Sequence, residues 1–328
     1  MLKIFIPSLS VSVVTLFAVF MWGGFAALFL ALVLVVLEVT LSFDNAIINA
    51  KVLAKMSAKW QQRFLTWGIL IAVFGTRLVL PLCIVSAAAM LSPFAMLAIA
   101  FDDPKQYAAL LETVRPAIGA FGGSFLLMVA LKYFFNEAKS VHWILAVERH
   151  FARWGRIEAI EIALALVLLL GFSFALPELG ATILSAGIIG IILFILIEGL
   201  AGSFDVETQG IARNGIVLFL YLNVLDSAFS LDGVVGAFAL TAQLPIIAAG
   251  LGVGALFVRT FTVYLVRQKT LQTLLYLEHG AHWAILGLAG SMFAGLIAHV
   301  PEVVTGGIGL VFIALAYVSS RRRVVGIR

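Results

Sequence analysis

Runs of about 20 apolar residues, broken by short charged loops, recur from one end of this chain to the other and leave it few ways to fold. A hydrocarbon layer takes roughly 20 helical residues per crossing. Backbone polar groups inside that layer must be satisfied within the segment itself, which selects helices. Ten such runs lie at about 4–22, 25–49, 64–90, 116–135, 158–175, 181–201, 214–239, 244–266, 282–298 and 303–319. The alternative count is nine, with the first or last run lying in the interface. The 328 residues are 63% hydrophobic and 12% charged, outside the range of soluble domains. The expected fold is all-α: a polytopic membrane protein forming a single transmembrane domain over 1–328.

Lys and Arg placement predicts the orientation, because cytoplasmic loops hold the positive excess. With the N-terminus inside, the cytoplasmic side takes Lys3; Lys51, Lys55, Lys59 and Arg63; Lys139, Arg149, Arg153 and Arg156; Arg213; Arg267 and Lys269; and Arg321, Arg322, Arg323 and Arg328. The outer side takes Lys105 and Arg115, in a loop that also carries Asp102, Asp103 and Glu112. Both termini are then cytoplasmic, and the net charge of +4 reads as a topology signal and not as a nucleic-acid footprint. Lys3 precedes an apolar stretch with no small-residue cleavage site, which predicts a retained first helix. The one cysteine, Cys83, lies inside a predicted span, so neither a disulfide framework nor a thiolate metal site is available.

Two apolar runs carry acidic segments, LEVTLSFDNAII at Leu37 to Ile48 and LDSAFSLDGVVG at Leu225 to Gly236. They align Glu38 with Asp226, Ser42 with Ser230, Asp44 with Asp232 and Asn45 with Gly233. A charged side chain at bilayer depth costs ~2.5–3.5 kcal/mol on insertion scales, so a duplicated pair of carboxylates is a site hypothesis by default. Each segment is followed by a span with an arginine nine residues after a glycine: Gly68 with Arg77, and Gly250 with Arg259. This predicts two repeats of three helices, about 25–136 and 214–298, with a basic cytoplasmic connector at about 137–157. The acidic helices are the second and seventh spans, so they cross the bilayer in opposite directions. Inverted repeats with a midplane site recur in secondary transporters. The connector, with His142 and Trp143, is expected on the headgroups or as a partner-binding surface. Gly119-x-x-x-Gly123 and Gly250-x-x-x-Gly254 predict close helix contact.

At 100° per residue Glu38, Ser42 and Asn45 share a face, whereas Asp44 stands about 120° away from Glu38. The same holds for Asp226 and Asp232. Either each helix breaks near Ser42-Phe43 and Ser230-Leu231, or the two acids of each pair do different jobs. The polar groups of both segments are oxygens and amides, without His, Cys or Met, which suits Mg²⁺, Ca²⁺ or Mn²⁺ better than zinc, copper or nickel. Four carboxylates against Arg77 and Arg259 leave a net −2, the complement of one divalent ion. Crowded carboxylates also raise one another's proton affinity, so proton exchange is the expected coupling. The structural alternative is that the acids form buried ion pairs with Arg77 and Arg259. Glu198 is a lesser candidate, read equally as a headgroup-level residue. His279 and His282 are expected to pack with Trp283 or to serve metal entry.

The string Glu38-x-x-Leu41-Ser42-x-Asp44-Asn45 resembles the E-x-x-L-S-x-D-N signature of the TerC integral membrane family, named for tellurium resistance. Asp226 to Gly233 looks like its degenerate second copy, and the nearer likeness is to the uncharacterised domain of unknown function 475 branch. The resemblance covers roughly 26–90 and 215–266. It implies a divalent-cation transporter of a bacterial inner membrane, with manganese export first and calcium second, and Glu38, Asp44 and Asn45 as ligands. Asp at 226 and Gly at 233 depart from the pattern. The full expected metal set is Glu38, Ser42, Asp44, Asn45, Asp226, Ser230 and Asp232, with Arg77 and Arg259 as charge partners and no fixed cofactor. The competing reading is a membrane scaffold in a metal or tellurium stress-response complex. An intramembrane protease is not expected, since G-x-G-D and H-E-x-x-H are missing.

Overall fold

The computed structural model describes residues 4–326 apart from 138, 140, 158, 204–210, 242, 269–272 and 299; within its helices the side chains of 65, 69, 72, 73, 88, 200–203, 211–214, 231, 232, 235, 239, 302, 303 and 324–326 are also outside the description. Lys3, Lys269 and Arg328, and the side chains of Arg213 and Asp232, therefore lie outside the described residues.

The described residues form helices and no strands. In chain order these are α1 (Ile6–Leu41), α2 (Phe43–Leu53), α3 (Ala58–Leu70), a wide helical segment (Ile71–Val79), α4 (Leu80–Ala88), α5 (Pro93–Asp102), α6 (Pro104–Phe134), α7 (Leu145–Trp154), α8 (Ile160–Ala175), α9 (Gly180–Ser203), α10 (Ile211–Leu240), α11 (Leu244–Arg267), α12 (Leu277–Ala294) and α13 (Glu302–Gly326). By length and composition, five helices among the described residues are able to cross a membrane: Ile6–Leu41, Pro104–Phe134, Pro177–Gly199, Leu244–Arg267 and Val304–Arg323. Shorter apolar helices accompany them at Phe74–Ala87, Pro93–Asp102, Ile160–Ala175 and Gly215–Ser230. This is a helical membrane protein. Large apolar side chains such as Phe17, Met21, Phe25 and Phe29 are exposed along α1, as a lipid-facing surface requires.

The structure departs from the predicted spans in three places. The predicted loop before the fourth span holds a helix, α5, started by Ser92, whose side chain accepts from Ala95 N–H at 3.2 Å, and by Pro93 at the first helical position. α6 then begins about a dozen residues before its predicted span, at Pro104. The connector is not a plain loop: it contains α7, whose Glu148 is completely buried.

The chain divides into two compact units, Met1–Arg115 with Glu207–Arg267, and Pro116–Val206 with Gln268–Arg328. In the first unit α1 is broken at Gly24, whose φ of 70° and ψ of −161° suit only glycine. Both arms lie on α11. Ser8 Oγ and Thr260 Oγ1 share a hydrogen bond of 2.5 Å, while a Cβ on Gly250 would meet Ala31 O at 3.0 Å and Leu34 Cβ at 2.5 Å. On one straight helix residues 8 and 34 would stand about 39 Å apart, yet their partners on α11 are about 15 Å apart. α1 is therefore a helical hairpin, and its arms run in opposite directions along α11, much as the first two apolar runs predict. Gly250 and Gly254 make the groove that receives the second arm: a Cβ on Gly254 would come within 2.5 Å of Glu38 Cγ. α2 is buried on every side, from Asp44 through Ala50.

In the second unit α8 packs on α9 and α12 on α13. Gly119 and Gly123 of α6 lie against Met292, Phe293 and Leu296, the close approach that this pair predicts. α7 is tied to α12 through Glu148, which accepts from His279 Nδ1 at 2.8 Å and from Trp283 Nε1 at 3.0 Å.

Candidate functional site

The first acidic segment spans the junction of α1 and α2. The junction residue, Ser42, has φ −101° and ψ 12°, outside helical values. The break is mild, since Ser42 N–H still bonds Glu38 O at 2.9 Å and Ala46 N–H bonds Ser42 O at 3.1 Å. The second segment runs unbroken inside α10. So the predicted unwinding occurs as a small kink in the first segment and is absent from the second.

Buried ion pairs anchor each segment. Arg77 bonds Glu38 Oε1, which also accepts from Ser42 Oγ at 2.8 Å. Arg259 reaches Asp226 Oδ2 at 3.2 Å and Phe64 O at 3.0 Å, with its guanidinium 4.2 Å from the Phe64 ring centre. Glu38, Arg77, Asp226 and Arg259 are all at most 4% exposed. Gly68, which follows the first acidic segment, leaves the space that Arg259 Nη1 fills. Arg77 itself sits where the helix widens to i→i+5 hydrogen bonding over nine residues, Ile71–Val79. Such widened turns are rare and concentrate at functional sites.

The two acidic helices meet in antiparallel register. Asn45 Nδ2 donates to Asp226 Oδ1 at 2.8 Å, and a Cβ on Gly233 would stand 3.4 Å from Glu38 Oε2 and 3.8 Å from Leu41 Cδ1. As numbering rises from 38 to 45 it falls from 233 to 226, and farther on Leu53 shares an apolar cluster with Leu218, Phe219 and Leu222. That register brings Ser42 level with Phe229 and Ser230, and Asn49 level with Leu222 and Asn223.

Asp44 is handled differently from Glu38 and Asp226. It is 3% exposed, and its Oδ1 accepts from Asn45 N–H at 2.9 Å. Among the described residues no cation pairs with it. A position in the first turn of α2 gives it the helix dipole as partial compensation. No three His, Cys, Asp or Glu side chains gather as a metal-binding group among the described residues, a set that does not include the Asp232 side chain.

Residue-by-residue reading of the sequence overlooked Asn49 and Asn223. Each is a helical turn from a residue already chosen, Asn45 and Asp226, and that spacing is the signal that was there to find. It also passed over Glu148, an acid in a basic stretch. In the structure Glu148 accepts from Lys139 Nζ at 3.0 Å, Trp143 N–H at 3.1 Å, Ile144 N–H at 3.3 Å, His279 and Trp283. Burial pushes its proton affinity up, but the hydrogen bonds from His279, Trp283 and Lys139 prevail and hold it well below the usual carboxylate range. His279 and His282 serve packing: His282 Nδ1 meets Glu278 O at 2.8 Å and its ring stacks on Tyr133 with centroids 3.5 Å apart. Glu198 is half-buried near the end of α9, in the second unit.

Residues 43–325 match the family described as Protein of unknown function (DUF475). The chain belongs to the DUF475 family. The matched stretch of this DUF475 protein takes in Asp44, Asn45, Arg77, Asp226 and Arg259, while Glu38 and Ser42 precede it. No curated protein and no solved structure matches the chain.

Proposed function

We propose that this DUF475 protein carries a divalent cation across a bacterial inner membrane, as a manganese exporter first and a calcium carrier second, with no catalytic step. Asp44 is the observation that carries the reading. It is a buried carboxylate on α2 with one backbone hydrogen bond, whereas the neighbouring acids Glu38 on α1 and Asp226 on α10 are each paired with an arginine. Intramembrane acids that are only partly compensated mark ion pathways. The oxygen and amide groups around the acidic helices suit a hard cation. Glu38 and Asp226 then act as the fixed, arginine-paired half of the site, and Asp44 with Asp232 as the exchangeable half. Protons would replace the metal on that second half, which couples transport to a pH gradient.

The antiparallel crossing centred on Ser42 and Ser230, equivalent positions of the two segments, supports an inverted repeat within a ten-span topology with both termini cytoplasmic. The E-x-x-L-S-x-D-N string supports kinship with the TerC family. Alternating access would proceed by rocking of the two acidic helices and their arginine helices.

The test is metal accumulation in cells expressing wild type or Asp44→Asn, scanned over Mn²⁺, Ca²⁺, Mg²⁺ and Zn²⁺. The expected result is lower Mn²⁺ content with wild type and no change with the variant. Equal contents for all four ions overturn the reading. The scaffold alternative has its own observation, the exposed Arg149, Arg153 and Trp154 on an anchored α7. It predicts that Asp44→Asn is tolerated while neutralising these arginines abolishes the phenotype.

A further inference from the structure

The facing sides of α2 and α10 hold four buried side-chain oxygen atoms. Asn45 Oδ1, Asn49 Oδ1, Asn223 Oδ1 and Ser230 Oγ have no hydrogen-bond partner, and their residues are 1%, 1%, 6% and 2% exposed. Buried polar atoms are nearly always paired, because an unpaired one costs about 1–3 kcal/mol. Four of the eight such atoms among the described residues lie along this seam, and they call for a ligand that accepts oxygen lone pairs. The antiparallel register brings three of them to one place: Asn45 sits against Asp226, with Asn49 one turn along α2 and Asn223 one turn back along α10, while Ser230, seven residues or about 10 Å from Asn223, lies at the far end of the stripe.

We propose that this seam is a binding site for a dehydrated sodium ion, distinct from the exchangeable divalent position on Asp44. The donors fix the class of ion. Amide and hydroxyl oxygens are hard ligands, without the nitrogen or sulfur that transition metals recruit. They are also neutral, and the one carboxylate among them, Asp226, is already shared with Arg259 through Oδ2, with Oδ1 on the seam side. That leaves less than one full negative charge, enough for a monovalent cation and too little for a divalent one, which takes carboxylates. The 2.8 Å hydrogen bond from Asn45 to Asp226 holds α2 and α10 in direct contact at this point, which favours sodium over the larger potassium ion. The ion bridges α2 and α10, so its binding stabilises their closed crossing. The site stands on this geometry whether or not the protein exports manganese.

The experiment is thermal melting of the purified full-length protein in detergent, followed by its tryptophan fluorescence, in NaCl, KCl or choline chloride at one pH and ionic strength. Sodium should raise the melting temperature saturably, by about 2–4 °C for each kcal/mol of binding free energy. Potassium and choline should not. In Asn49→Leu and Asn223→Leu the sodium response should vanish. Equal melting in the three salts overturns the proposal, as does a sodium response that survives in both variants. If either variant fails to fold, binding of radioactive sodium to the wild type decides: it should saturate and resist displacement by excess potassium, and absence of saturable binding sinks the site. A rise with Mn²⁺ but not Na⁺, lost in the same variants, assigns the seam to the divalent ion and also refutes sodium. Failure of the transport reading is seen separately, in the accumulation assay with Asp44→Asn.

Discussion

Glu148 and Asp44 are both carboxylates with almost no exposed surface, yet the protein treats them in opposite ways. Glu148 accepts five hydrogen bonds, from Lys139, Trp143, Ile144, His279 and Trp283. Asp44 accepts one, from the next residue's N–H. A buried charge surrounded by donors is settled and holds its neighbours in position; a buried charge left with one is poised to take a cation or a proton. The comparison separates an acid satisfied on every side from one left with a single donor, and it sorts the other acids too. Glu38 and Asp226, each with an arginine, fall nearer to Glu148.

The largest effect should come from emptying the well-satisfied site. Glu148→Ala leaves Lys139 and four other donors facing a cavity and is expected to cost about 3–5 kcal/mol, read as a fall in melting temperature. A variant that melts like wild type breaks the comparison at once. Next is the arginine-paired class. Glu38→Gln should destabilise because it takes a buried carboxylate partner from Arg77, and the double variant Glu38→Met with Arg77→Met should recover about 1–4 kcal/mol relative to a single one. If the double is as weak as the single, the pair is not the unit. Smaller is Lys139→Met, which removes one of five donors and should cost about 1–3 kcal/mol.

A pH series sharpens the contrast further. Glu148 has a depressed proton affinity in the folded state, so its contribution is present above the usual carboxylate range and is lost as pH falls through its lower, folded value. The melting difference between wild type and Glu148→Gln should therefore stay constant from pH 8 to about 5 and shrink only in stronger acid. A difference that collapses near pH 6 contradicts the hydrogen-bonding account. Asp44→Asn should give the smallest change in stability, with no fall in melting temperature, alongside complete loss of metal extrusion. If it unfolds the protein, Asp44 belongs with Glu148.

Much of the helical frame is legible in the residues. The apolar runs at 158–175, 181–201, 214–239 and 244–266 match α8, α9, α10 and α11 within about two or three residues at most ends, because hydrophobic length is a local property. Gly250 and Gly254 announced a close contact and received one. The acidic segments were equally plain, as charges where lipid allows none. The ion pairs were readable as an alternative, since two arginines follow two acids at equal spacing. What the residues did not disclose was division of labour. Nothing in Ile71–Val79 marks a widened helix, and Ser42 and Ser230 read alike although only Ser42 interrupts its helix. Glu148 was hidden because its five donors come from three separated stretches of chain.

By itself the sequence determined that this protein is helical and membrane-embedded, and that its unusual chemistry lies at 38–45 and 226–233. Hydrophobic length and the cost of a buried charge act residue by residue, so they can be read without a fold. Only the tertiary structure decided which acids are neutralised and which is left open. Arg259 reaching Phe64, Asn45 reaching Asp226 and Gly24 reversing α1 are all contacts between distant segments or turns of backbone. Burial alone makes a carboxylate expensive. The number of donors that folding brings to it determines whether it stays a fixed charge or becomes a place for an ion.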